Sequence, residues 1–292
     1  MAEHKKEFDE VTGMHTTGHV WDGDIKELNR PLPRWWLYTF YVCILWSVGY
    51  WIAYPAWPLA QGYTKGLLGY SQRTTVTEQV AAARAQQAGM RSQLEKASLA
   101  EARSKPDLLQ FATTGGKAVF ADNCAPCHGR GAQGGNGYPN LNDDDWIWGG
   151  SLEAIEQTIQ HGIRWSADDD TRVSDMPKFG IDQILEPKQI SDVAEYVLSL
   201  SGKSTDAAAA EAGKAVFAEN CTACHGEDGK GNQELGAPNL SDALWLYGSD
   251  KASVLESIKT GRGGQMPAWI GRLDPSEIKS LALYVHSLGG GK

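Results

Sequence analysis

The sequence predicts an all-α protein, with one N-terminal transmembrane helix followed by two tandem small helical domains. Three observations predict it. No charged residue lies between Trp35 and Thr64. The second half of the chain repeats itself: Gly116-Lys117-Ala118-Val119-Phe120-Ala121 recurs 97 residues later as Gly213-Lys214-Ala215-Val216-Phe217-Ala218. Each copy closes on apolar residues spaced along one face of a helix.

Residues 1–34 are largely polar and are expected to form a cytoplasmic N-terminal segment. The transmembrane helix is expected over 35–57. Trp35–Tyr54 is long enough to cross a bilayer once. Trp and Tyr concentrate at its ends, as at membrane interfaces, and Pro55 and Pro58 should stop it. A cleavable signal peptide fits less well, because 34 residues come first and no small-residue cleavage site is evident. Lys26, Arg30 and Arg34 precede the helix closely, whereas Lys65 and Arg73 follow it. That excess of positive charge puts the N-terminus inside and the rest of the chain outside. Residues 58–105 are expected to be a polar helical connector, with Ala, Gln, Arg and Glu abundant in Glu78–Ser104.

The repeats define two expected domains, 106–202 and 203–292. Pro139-Asn140-Leu141 matches Pro238-Asn239-Leu240, Trp146 matches Trp245, Gly162 matches Gly261, and Met176-Pro177 matches Met266-Pro267. Glu186-Pro187 and Asp274-Pro275 signal helix starts. Ile190, Val193, Ala194, Val197 and Leu198 then trace one buried face, repeated by Ile278, Leu281, Ala282 and Val285. Gly202 and Gly289 lie just beyond, where C-terminal glycines belong. Ser201–Glu211 is a short link that suggests two sites close together.

Each copy carries a Cys-x-x-Cys-His motif: Cys124-Ala-Pro-Cys127-His128 and Cys221-Thr-Ala-Cys224-His225. This is the attachment signature of a c-type haem. Two thioethers hold the ring, and the adjacent histidine reaches the iron. A zinc site or a redox dithiol would account for the cysteines, but gives no reason for the same histidine to follow both pairs. Two covalently bound haem c groups are therefore expected, in two small cytochrome c domains. Each domain alone buries a limited core, so the haem should supply much of its apolar mass. Cytochrome c maturation in bacteria takes place outside the cytoplasmic membrane, which agrees with the topology. Four of the five cysteines are committed to haem; Cys43 lies in the apolar segment and no disulfide is expected.

A His/Met iron is six-coordinate and suited to electron transfer. Of the five methionines, only Met176 and Met266 fall in the repeats, at matched positions after their histidines. They are the candidate axial ligands beside His128 and His225. Ligation within each domain is the default, and exchange between domains is the alternative. His161, next to Gly162, competes with Met176, because the second copy has Thr260 there. His286 reads as a surface or packing residue. With both irons closed, no catalytic residue is expected.

The chain of 292 residues carries a formal net charge of −9, which excludes nucleic acid as a natural partner. The acid lies unevenly: residues 106–202 hold 6 basic and 15 acidic residues. Asp143-Asp144-Asp145 and Asp168-Asp169-Asp170 are the densest runs. They suit steering of a basic donor cytochrome, and they equally suit solvated loops.

Trp21-Asp22-Gly23-Asp24-Ile25-Lys26-Glu27-Leu28-Asn29-Arg30-Pro31-Leu32-Pro33-Arg34-Trp35-Trp36 resembles the membrane entry of the dihaem subunit (CcoP or FixP, subunit III) of cbb3-type cytochrome c oxidases. Tyr54-Pro55-Ala56-Trp57-Pro58 resembles that family's exit, and Ala237–Asp242 with Trp245-Leu246-Tyr247-Gly248 its second haem domain. The resemblance runs from Trp21 to the end. It implies a single-pass subunit of the bacterial inner membrane, with its haem domains in the periplasm. It would relay electrons from a donor cytochrome c, without itself reducing oxygen. The implied partners are a haem b and copper catalytic subunit, a monohaem cytochrome subunit and membrane lipid. Alternatives are a dihaem electron-transfer subunit of a periplasmic dehydrogenase and a dihaem peroxidase.

Overall fold

The computed structural model describes residues 7–289. The outer ends of the expected segments 1–34 and 203–292 fall outside them. The chain divides into two compact units, Met1–Ala85 and Gln86–Lys292.

The first unit opens with a small antiparallel sheet in the order β1 (Phe8–Asp9), β2 (Met14–Trp21), β3 (Ile25–Leu28). The turn between β2 and β3 has Asp22 and Gly23 at positive φ, the Asp-Gly chemistry of a tight hairpin. This sheet is an addition to the expected helices; the chain remains mostly helical. Helix α1 (Arg34–Ala53) has 20 residues and no buried side chain, a length of about 30 Å. It is long and apolar enough to cross a membrane. It ends at Ala53, short of the expected boundary at 57, because Tyr54 turns extended ahead of Pro55. After the hairpin β4 (Pro58–Leu59), β5 (Gly62–Tyr63), the chain returns to the helix end. There Leu67 and Leu68 N–H groups donate to Ile52 O and Ala53 O, satisfying carbonyls the helix leaves open. A Cβ on Gly66 would lie 2.4 Å from Ala53 O, so glycine is required there.

The unit division falls within α2 (Gln72–Lys96). After it come α3 (Leu99–Ser104), α4 (Pro106–Asn123), α5 (Ala125–His128), α6 (Leu152–His161), α7 (Pro187–Leu200), α8 (Ala207–Asn220), α9 (Thr222–His225), α10 (Lys251–Thr260) and α11 (Pro275–His286). The proline-led starts of α7 and α11 are capped by Glu186 and Asp274 in capping boxes.

The expected connector 58–105 is not purely a polar spacer. Leu94, Ala97, Leu99 and Ala102 are buried in the core that also holds Leu108 and Phe120. Arg91 pairs with Asp274 and Glu277 at 3.2 and 3.3 Å, and Lys279 donates to Glu95 O and Ala97 O at 2.8 and 2.6 Å. The end of α2 is thereby fixed to α11.

The boundaries 106–202 and 203–292 describe sequence repeats, whereas the packing exchanges their second halves. Helix α4 of the first repeat crosses α11 of the second, and α7 of the first crosses α8 of the second. Gly116 lies against Ser280 and Tyr284, and Gly213 against Asp192 and Val193; a Cβ at either would lie within 2.2 Å of backbone oxygen. One core joins Phe120, Ile155, Ile159, Leu281 and Val285. The other joins Phe179, Val193, Val197, Phe217 and Ile258. The physical reason is the link. Only residues 201–206 separate α7 from α8, and consecutive helices on a short connection pack together. The buried Glu195 carboxylate locks this link, accepting from Ser204 Oγ, Thr205 N and Asp206 N at 2.7, 3.0 and 3.2 Å, with Lys251 Nζ 2.7 Å away.

Candidate functional site

Helices α5 and α9 are single turns that follow directly on α4 and α8. Cys124 and Cys221 N–H groups still donate to Phe120 O and Phe217 O, at 2.8 and 2.9 Å. The fully buried phenyl rings of Phe120 and Phe217 thus fix where each Cys-x-x-Cys-His turn begins. Each turn closes on a glycine at positive φ, Gly129 or Gly226.

His128 Nδ1 lies 3.1 Å from Pro139 O, and His225 Nδ1 lies 3.0 Å from Pro238 O. A carbonyl only accepts, so Nδ1 carries the proton and donates. Nε2 is left with its lone pair, the form an iron ligand needs. Burial pushes both imidazoles below their ordinary pKa, which favours the neutral ring. The matched Pro-Asn-Leu segments of the sequence find their role here.

Met266 packs into the core that holds Cys124, and Met176 into the core that holds Cys221. Two short backbone pairings deliver them. Ile163, at the end of α6, exchanges hydrogen bonds with Met266 at 2.9 and 3.0 Å. Arg262, at the end of α10, accepts from Met176 N at 3.0 Å. Each methionine therefore stands with the Cys-x-x-Cys-His motif of the other repeat, against the default expectation of ligands within one domain. His161 does not compete: its Nδ1 lies 3.1 Å from the Asp168 carboxylate, and it is not among the residues lining the cavity. His286 is buried on α11.

One continuous cavity reaches Cys124, Cys127, His128 and Met266 and also Cys221, Cys224, His225 and Met176. The residues fit c-type haem. Each core offers two thiols, one imidazole and one thioether. Trp146 and Trp245 also line the cavity, and their indole Nε1 atoms are buried with no acceptor among the described residues. A buried donor is costly without a partner, and the carboxylates of haem are acceptors of the kind these two require. Burial, with Asp242 and Asp143 nearby, pushes the Asp145 carboxyl up to about 6. Asp145, Arg164, Asp175 and Arg262 are the charged groups that line the cavity among the described residues, with Arg164 paired to Asp175. The sequence points to Asp145 only as part of an acidic run suited to donor steering, and to neither arginine. Trp148 and Tyr247 also line it; the sequence signals them by their place two residues after the matched Trp146 and Trp245, and Tyr247 also by the family resemblance of Trp245-Leu246-Tyr247-Gly248.

Three family models match the chain. Residues 13–61 match the N-terminal domain of cytochrome oxidase-cbb3, FixP. Residues 114–201 match cytochrome c, and residues 208–285 match cytochrome c oxidase, cbb3-type, subunit III. The chain is 56% identical over 296 residues to the cbb3-type cytochrome c oxidase subunit FixP of Bradyrhizobium sp. (strain ORS 278), covering 100% of both chains. It is 53% identical over 292 residues to the FixP subunit of Sinorhizobium medicae (strain WSM419), again covering 100% of both. It is 54% identical over 277 residues to the cbb3-type cytochrome c oxidase subunit CcoP of Cereibacter sphaeroides (strain ATCC 17023), covering 95% of both.

Proposed function

The chain belongs to the cbb3-type cytochrome c oxidase subunit III family, and on that premise we propose that it is a membrane-anchored dihaem electron relay feeding the oxygen-reducing subunit of that oxidase. It is an electron-transfer subunit of a membrane-bound oxidoreductase complex. The finer reading concerns which residues carry the relay.

Cys124 and Cys127 hold one haem c through thioethers, and Cys221 and Cys224 hold the other. His128 and Met266 face the first iron, and His225 and Met176 the second. When bound, each haem supplies a one-electron Fe(III)/Fe(II) couple. The protein's residues keep that couple simple. Pro139 O and Pro238 O orient the imidazoles, and Met266 and Met176 would supply a second ligand in each core. An iron held by both residues would offer no position to oxygen, so reduction of oxygen would fall to a partner subunit with haem b and copper. A peroxidase needs an open position, and each core supplies both a histidine and a methionine. The observation that carries this reading is the single cavity joining both Cys-x-x-Cys-His motifs with both methionines.

Helix α1 is the anchor, and the Lys26, Arg30, Arg34 bias supports a cytoplasmic N-terminus with haem domains in the periplasm. Docking of a basic donor cytochrome c is supported by the net charge of −9. The packing changes where that charge sits. Helix α7 carries Asp192 and Glu195 of the first repeat into the core that holds Cys221, so the acid excess of 106–202 is not confined to the first haem core. A pyridine haemochrome assay with a protein determination tests the reading, together with identification of subunits that co-purify in mild detergent. Two haems c per chain and co-purifying oxidase subunits are expected. One haem, or isolation without oxidase subunits, would overturn it.

A further inference from the structure

The two packing units meet across a seam built from matched residues. Trp148 of the first repeat and Tyr247 of the second hold equivalent positions, as do Gly137 and Gly236. The structure pairs them reciprocally. The Trp148 ring lies over Gly236, so closely that a Cβ there would come within 2.1 Å of the indole. The Tyr247 ring lies over Gly137, where a Cβ would stand 3.3 Å from Cε1. Gly137 N–H also donates to Leu246 O at 2.9 Å, which ties one haem loop to the other. Both rings line the cavity shared by the two Cys-x-x-Cys-His motifs.

Each ring is capped by cations. The guanidinium carbons of Arg164 and Arg172 lie 5.5 and 5.4 Å from the Trp148 ring centre. That of Arg262 lies 4.3 Å from the Tyr247 ring centre. Cations held over ring faces fix the rings' orientation. The arginines are themselves anchored: Arg172 donates to Trp148 O and Thr158 Oγ1 at 3.1 and 2.8 Å, Arg164 to Gly264 O at 2.9 Å, and Arg262 to Ser257 Oγ at 3.0 Å.

Resting on the two-haem reading above, we propose that Trp148 and Tyr247 are positioning residues that set the separation of the two haems and fill the path between them. Electron tunnelling weakens steeply with distance and is poorer across a gap than through packed atoms. Two rings seated on residues without side chains remove that gap. The electron leaves one iron, which passes from Fe(II) to Fe(III), and arrives at the other, which passes from Fe(III) to Fe(II). The rings are not oxidised, and no proton or ligand is exchanged.

The test uses the full haem-loaded chain in its complex. The inter-haem transfer rate after pulsed photoreduction is compared in wild type, Trp148→Leu/Tyr247→Leu and Trp148→Phe/Tyr247→Phe. Haem content and the near-infrared methionine-to-iron band are measured on each. The leucine pair should slow transfer at least severalfold while both haems and both bands remain, and the phenylalanine pair should restore most of the rate. An unchanged rate in a leucine variant with two intact haems would overturn the proposal. Should the leucine pair lose haem, single Trp148→Leu and Tyr247→Leu variants provide the same comparison, and equal rates there would overturn it as well. A wild-type chain with fewer than two haems would instead refute the dihaem reading.

Discussion

Gly162 lies against the carbonyl of Met266: a Cβ on Gly162 would stand 2.3 Å from that oxygen. The matched Gly261 lies against the carbonyl of Met176, at 2.5 Å by the same measure. Both glycines end a helix at positive φ, 66° and 70°. The pair explains why the repeats keep glycine there. Each permits the methionine strand of the other repeat to lie alongside the helix end.

On the proposed ligation, Gly162→Ala should therefore act on the iron that His128 and Met266 would hold. The added methyl strains the backbone and displaces Met266, destabilising the chain by more than about 1 kcal/mol. Covalent haem should remain while about half of the near-infrared sulfur-to-iron intensity is lost. Absorption spectra of the oxidised variant and wild type at equal haem content provide the check.

Leu94→Ala should destabilise the core around Phe120, although Leu94 lies in the segment whose sequence reads as a connector. Leu94 is fully buried, and truncation at such a site costs about 2–5 kcal/mol. Denaturant unfolding followed by haem absorbance measures this. By the same argument, a soluble form starting near Ser104 should be less stable than one starting near Gln86.

Much of this was legible in the residues. The Cys-x-x-Cys-His motifs, the paired methionines, the apolar helix and the proline-led helices α7 and α11 all follow from local chemistry. The exchange of halves did not, because both copies carry the same helix faces and either pairing buries them. The 201–206 link decides between them, and the sequence shows its shortness without showing which helices it brings together. The β2–β3 hairpin is signalled by Asp22-Gly23, yet β2 reads as a mix of His, Thr and Gly with few apolar residues, and β3 is only four residues long. The buried end of α2 was hidden because Leu94, Ala97, Leu99 and Ala102 are thinly spread among polar residues.

Asp145 predicts a pH effect of definite sign. Its folded pKa is raised from 3.8 to about 6, chiefly by burial and then by Asp242 and Asp143. A carboxyl raised in the folded state favours folding while protonated, and that contribution is lost as pH rises through the window from 3.8 to about 6. Asp145→Asn should therefore be more stable than wild type at pH 7, with a flatter pH dependence across that window. Thermal denaturation of both forms from acid to neutral pH measures it.

Glu195 predicts the opposite sign. Its pKa is lowered from 4.5 to about 2, first by Lys251 and then by Ser204. Its contribution is present above 4.5 and lost as pH falls toward about 2. Glu195→Ala removes the buried acceptor of the 201–206 link, leaving the Thr205 and Asp206 N–H groups without it, at a cost of about 1–3 kcal/mol. The loss should loosen the α7–α8 crossing and with it the core around Met176, detectable as a lower unfolding midpoint for the haem bound at Cys221 and Cys224.

Donor docking should depend on acid that the fold leaves available. Asp168 is committed to His161 and to Asp170 N, so Asp144→Asn and Asp169→Asn are the cleaner probes. Each should slow donor association and flatten its salt dependence. Stopped-flow reduction across a salt series measures both quantities.

The exchanged ligand pairs are the central claim, and an experimental density map of the haem-loaded complex tests them most directly. The account predicts His128 and Met266 on the iron bound through Cys124 and Cys127, with His225 and Met176 on the iron bound through Cys221 and Cys224. Met176 on the iron of His128, or His161 on either iron, would contradict it.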